Sequence, residues 1–213
     1  MESYSSRRSN RVLCDSWCKS GKTVVFLRRF DNLGKFLAEK HINLVYGGGS
    51  FGLMGRVVGS VYLGVVGVLG VIPKPLVVRQ ITGQTIGDEL RVSNMQDRMV
   101  NMMHNADAFI TPGFGTLEEL FQVISCTTQH SRKLIGILNV NGFFDGLLSF
   151  IDYTVEKGFI STPTKRIIIC ATTPSELIDQ LQAFFVEPDP KVAHVVWSED
   201  RSKKCRLDLS LTL

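Results

Sequence analysis

In "TPGFGTLEEL", residues 111–120, two adjacent carboxylates follow a glycine turn, an order of residue types that can do chemistry. An apolar run ends at Thr111, the chain turns through Pro112, Gly113 and Gly115, and Glu118 and Glu119 then open a segment that reads as helix. A strand, a glycine turn and a helix N-terminus present unpaired N–H groups and a positive dipole end, which suit a phosphate or another anion. Carboxylates one turn inside that helix can supply acid/base chemistry beside the bound anion. The same residues also fit a plain βα turn whose glutamates favour the helix N-terminus, so the stretch alone leaves both readings open.

A second glycine loop, "LVYGGGSFGLMG" at residues 44–55, carries G-x-G-x-x-G at Gly47, Gly49 and Gly52, after an apolar run and before a helical one. That is the setting of a dinucleotide fingerprint, but such a site also wants an acidic residue about 20 positions on for the ribose. No Asp or Glu lies between Glu39 and Asp88, which argues against NAD. What remains is a loop whose missing Cβ atoms let the backbone approach a phosphate or ribose. A third stretch, "CKSGKT" at Cys18–Thr23, looks like the end of a P-loop, yet Ser16 stands where its first glycine belongs. Arg98, in "MQDRMVNMMHNA", falls near the start of a helix that leads into the strand ending at Thr111. Many helical arginines are simply solvated, but one placed over strand ends can hold a phosphate or carboxylate bidentately.

The elements that must position these residues alternate along the chain. Short apolar runs at "RVLC", "NLVY", "GVLGVI", "DAFIT", "LIGILNV" and "RIIIC" are separated by longer amphipathic stretches. That pattern predicts an α/β fold, a Rossmann-like doubly wound parallel sheet with helices on both faces. Ligands then bind at the C-terminal ends of the strands, where the glycine loops lie. The uncharged stretch Val57–Pro73 approaches membrane-span length, but its glycines divide it into a buried helix from Leu53 to about Tyr62, a loop at Gly64 and Gly67, and an interior strand.

At 213 residues, with 44% hydrophobic and 21% charged, the chain can bury one sizeable core. Residues 11–186 are expected to form a single nucleotide-binding catalytic domain, flanked by a mobile arm at 1–10 and a tail at 187–213. The net charge of +4 is spread without a basic stripe, so nucleic acid is not an expected partner, and neither is a membrane. Five cysteines at irregular spacing, without nearby His pairs, suit a reducing cytoplasmic or nuclear setting rather than a disulfide framework or metal site.

"LVYGGGSFGLMG", "VIPKPL", "ITGQTIGDE", "MQDRM", "NADAFITPGFGTLEEL" and "NVNGFFDGLLSFIDYTVEKGFIS", in this order, resemble the LONELY GUY (LOG) family of cytokinin riboside 5′-monophosphate phosphoribohydrolases, once labelled lysine decarboxylase-like. The similarity covers about residues 11–185. It implies a homodimer that hydrolyses the N-glycosidic bond of N6-prenylated AMP, with no cofactor and no metal. The family's PGGxGTxxE pattern falls on Pro112, Gly113, Gly115, Thr116 and Glu119, and its essential arginine on Arg98. The resemblance thus implies Arg98 and Glu119 as catalytic residues, at strand ends outside the core. It implies Gly47, Gly48, Gly49, Ser50, Arg79, Pro112, Gly113, Gly115, Thr116 and Glu118 as substrate-binding residues.

The departures cluster at the site. The loop reads "PGFGT", one residue shorter than the family's; Met99 replaces a lysine; Asp15 stands where a glycine is usual, and Cys126 where a tryptophan is. A shortened phosphate loop redirects the N–H groups after it, so the alternative is a non-catalytic member that keeps the fold and the dimer.

Overall fold

The computed structural model describes residues 11–14, 24–77, 82–129 and 133–184. Its strands are β1 (Arg11–Cys14), β2 (Asn43–Tyr46), β3 (Val68–Pro73), β4 (Asp88–Val92), β5 (Ala108–Thr111), β6 (Leu134–Leu138) and β7 (Ile168–Ala171). They form one seven-stranded sheet in the order β4-β3-β2-β1-β5-β6-β7. Every pairing is parallel. The chain winds outward from β1 to β4, then crosses back to β5 and winds the other way. The doubly wound α/β fold read from the alternation is the observed one.

The helices are α1 (Val24–Glu39), α2 (Gly52–Leu63), α3 (Met95–Asn105), α4 (Leu117–Gln129), α5 (Asp145–Glu156), α6 (Thr162–Arg166) and α7 (Pro174–Ala183). Right-handed crossovers put α1 and α2 on one face and α3 to α6 on the other, because the direction of winding reverses after β4. α7 packs against α1 on the first face. Gly136 of β6 faces Leu177 and Leu181 of α7 at a separation that leaves little room for a side chain. The interior strands β5 and β6 are buried at every residue, as apolar strands covered on both faces must be.

Two elements depart from the expected pattern. β4, "DELRV", lies at the sheet edge with most of its side chains exposed. β4 carries charge on its exposed side and lacks an apolar run, whereas β7, at the other edge, keeps one. α6 is a single short helix, capped by the Ser161 hydroxyl accepting from the Thr164 N–H and with Pro163 in its first turn. The stretch Val57–Pro73 divides as its glycines suggest, into the end of α2, a turn, and β3.

Candidate active site

The winding reverses between β1 and β5, and the loops at the C-terminal ends of the neighbouring strands converge there. α3 begins just beyond β4 at this end of the sheet. Its N-cap is Asn94, whose Oδ1 accepts from the Asp97 N–H at 2.8 Å while its Nδ2 donates to Asp97 Oδ2 at 3.1 Å. This cap fixes the first turn and with it Arg98, whose N–H donates to the Asn94 carbonyl at 3.1 Å.

Arg98 is buried, only 6% exposed, and so is Glu119 of α4, at 8%. Arg98 Nε donates to the Val71 carbonyl of β3 at 3.3 Å. Its Nη1 lies 3.8 Å from Glu119 Oε1, so the two residues form an ion pair between α3 and α4. The expectation that both stand outside the core is corrected here. They lie at the strand ends but are buried, and Arg98 joins α3 to Glu119 of α4 and to the Val71 carbonyl of β3. A buried arginine needs such partners, since an uncompensated charge in a low-dielectric interior is costly.

The "PGFGT" loop leaves β5 with Pro112 and Gly113 buried. Gly113 is extended, and Phe114–Thr116 form one 3-10 turn that runs into α4. Thr116 is fully buried, and its hydroxyl donates to the Gly113 carbonyl at 2.6 Å. Gly115, in the same turn, is half-buried. Phe114 projects outward, 71% exposed. Glu118 is exposed and accepts from Gln122 Nε2 at 3.3 Å, one turn along the helix, so it points away from the buried pair.

The loop Gly47–Ser50, after β2, packs on a partner that the sequence did not mark as functional, the segment Thr82–Ile86. The Ser50 N–H donates to the Thr82 carbonyl at 2.8 Å. Thr85 Oγ1 donates to the Gly48 carbonyl at 3.0 Å. Gly48 has φ +80°, and a Cβ there would lie 2.8 Å from Ile72 Cβ, so glycine is required by both conformation and space. At Gly49 a Cβ would lie 3.1 Å from the Thr82 carbonyl oxygen. These glycines therefore admit neighbouring chain, and Gly47 beside them is half-buried. "ITGQTIGDE" was visible as a motif, but nothing local in it names the loop that it braces.

Tyr46, at the end of β2, closes the brace from below. It is fully buried, and its hydroxyl donates to the Ile86 carbonyl at 3.0 Å while accepting from the Ile86 N–H at 2.7 Å. Burial pushes the phenol up to about 12, so it stays protonated and able to donate. Tyr46→Phe leaves both Ile86 groups without this partner and should cost about 1–3 kcal/mol. For a chain of this size each kcal/mol lowers Tm by about 2–4 °C. A thermal melt of the variant that matches the parent's would show that the brace contributes nothing.

Beside this brace is a cleft of about 310 Å³, lined by Ile72, Val77, Thr82, Gln84, Glu89 and Arg91 among others. Arg91 Nε meets Glu89 Oε1 at 2.5 Å on its rim. The Thr85 hydroxyl and then Arg91 hold the Glu89 carboxyl below its usual range. Neither Arg98 nor Glu119 lines this cleft. Arg79, Asp15 and the "CKSGKT" stretch lie outside the described residues, as do the arm at 1–10 and the tail at 187–213.

A family model described as "Possible lysine decarboxylase" matches residues 54–181. A cytokinin riboside 5′-monophosphate phosphoribohydrolase of Arabidopsis thaliana is 46% identical over 191 residues, covering 88% of this chain and 87% of that protein. The enzyme of the same name from Oryza sativa subsp. japonica is 46% identical over 209 residues, covering 95% and 85%. Among solved structures, the molybdenum cofactor binding protein of the phototrophic bacterium Rippkaea orientalis shares the fold, with a TM-score of 0.61 at 17% identity over 83% of this chain and 97% of that one. With relatives this similar over most of both lengths, the chain belongs to the LONELY GUY (LOG) family, the cytokinin riboside 5′-monophosphate phosphoribohydrolases.

Proposed function

We propose that this chain hydrolyses the N-glycosidic bond of cytokinin riboside 5′-monophosphates, releasing the free cytokinin base and ribose 5-phosphate. The buried Arg98–Glu119 pair at the strand ends carries this reading, because it places a carboxylate and a guanidinium together in an enclosed position beside the "PGFGT" loop. The relatives' names favour an active hydrolase over a non-catalytic member.

In this reading the 5′-phosphate sits at Pro112–Thr116 and the N-terminus of α4, with Gly47–Ser50 and Arg79 completing the substrate's surroundings. Breaking the bond from C1′ to the base nitrogen leaves its electron pair on the base and builds positive charge on the ribose ring. The Glu119 carboxylate stabilises that charge and orients the water that attacks C1′, much as paired carboxylates act in sugar hydrolysis. The water's proton ends on the departing base. Arg98 anchors the nucleotide, with Glu118 as an outer acidic neighbour. No cofactor or metal takes part in these steps. The test compares isopentenyladenosine 5′-monophosphate with isopentenyladenosine. Release of free base from the monophosphate alone supports the reading, and equal rates on both would remove the phosphate-binding role from the loop.

The domain acting here is residues 11–186, and the working unit is a homodimer. Met95 and Val100 on α3 and Phe121 on α4 are exposed, an apolar surface that a second copy can cover. Sedimentation at micromolar protein should show the dimer, and a monomer throughout would contradict it. Among the described residues, no helix is long and apolar enough to cross a membrane.

A further inference from the structure

At the C-terminal end of β5, directly before the "PGFGT" loop, the Thr111 side chain is fully buried and its Oγ1 has no hydrogen-bond partner among the described residues. A hydroxyl in that state lowers stability, and valine has the same shape without the penalty. Packing alone therefore gives no reason for threonine.

Its direction follows from the register. Ile110 pairs with Gly136, which faces α7 on the first face of the sheet. Side chains alternate along a strand, so Thr111 lies on the opposite face, the one covered by the helices that carry Arg98 and Glu119. The neighbouring Thr116 hydroxyl is already engaged by the Gly113 carbonyl.

We propose that Thr111 is a further binding residue of this site, whose hydroxyl donates to a phosphate oxygen of the bound phosphoribosyl group. This rests on the hydrolase reading above. The hydroxyl is enclosed, so a phosphate reaches it only if the 3-10 turn Phe114–Thr116 shifts. Phe114 at the tip of that turn is 71% exposed and has little packing to lose. A shorter loop with fewer N–H donors is compensated only in part by this one donor from the strand below it.

Thr111→Val and Thr111→Ser, titrated calorimetrically with AMP and with adenosine, test this. T111V should melt at or above the parent's temperature, bind AMP about tenfold more weakly, and bind adenosine as the parent does. T111S, which keeps the hydroxyl, should bind AMP close to the parent's affinity. If T111V binds AMP as tightly as the parent, or loses AMP and adenosine alike, the assignment is overturned while the hydrolase reading stands. A parent that binds no AMP overturns both.

Discussion

Glu119→Gln should lower turnover on cytokinin nucleotide by about 10²–10³-fold while leaving AMP binding largely intact. The substitution keeps the side chain's shape but removes the charge that stabilises the developing cation, and removing one such electrostatic group typically costs this much. Arg98→Ala should also abolish turnover, but through a different route. It leaves the Glu119 carboxylate buried at 8% exposure without its guanidinium, and breaking a buried pair from one side costs about 3–5 kcal/mol. Glu119→Gln likewise leaves the buried Arg98 guanidinium without its counter-charge, so both variants should melt below the parent, and Arg98→Ala lower of the two because it also loses the bond to the Val71 carbonyl. Steady-state kinetics and thermal melts on the two variants separate the effects. Near-parent turnover in either would reject the catalytic assignment, and equal melting of parent and Arg98→Ala would reject the buried pair.

Inserting a glycine between Gly113 and Phe114 restores the family's loop length and is expected to tighten AMP binding by roughly ten- to a hundredfold. Each recovered charge-assisted hydrogen bond from a loop N–H to phosphate contributes about 1.5–3 kcal/mol, and every 1.4 kcal/mol is about tenfold in affinity. The local geometry can accept the residue. Gly113 is already extended, and exposed Phe114 can move outward without opening the core. The insertion does lengthen the turn that the Thr116 hydroxyl closes onto the Gly113 carbonyl, so that bond must re-form on the new glycine. Calorimetric titration of AMP decides the matter. Equal affinity in parent and insertion variant would mean that the native short loop already holds the phosphate as fully as the longer one.

The parts of this structure that were legible in the sequence are those governed by local pattern. Interior strands such as "LIGILNV" and "DAFIT" had to be apolar on both faces, and the glycines in Val57–Pro73 marked where α2 stops. β4 was not legible, because its charged sequence "DELRV" at the exposed edge has no apolar run to mark it, unlike β7 at the other edge. At the site, residue types pointed to Arg98 and Glu119, but not to their burial. Charged residues are ordinarily solvated, and these two meet only through an ion pair between α3 and α4 and a bond from Arg98 to the Val71 carbonyl of β3, elements far apart in the sequence. The Gly47–Ser50 loop was recognised as a place of close approach. What approaches it in the fold is Thr82–Ile86, held through Tyr46, and no local signal links residues so far apart in the chain.

The activity proposed for this chain is cleavage of the bond between base and ribose in a cytokinin nucleotide. The direct measurement is a product analysis of the purified full chain incubated with isopentenyladenosine 5′-monophosphate, with base and sugar phosphate quantified separately. Free isopentenyladenine and ribose 5-phosphate are expected in equal amounts. Unreacted nucleotide, or isopentenyladenosine with inorganic phosphate in place of those products, would contradict it.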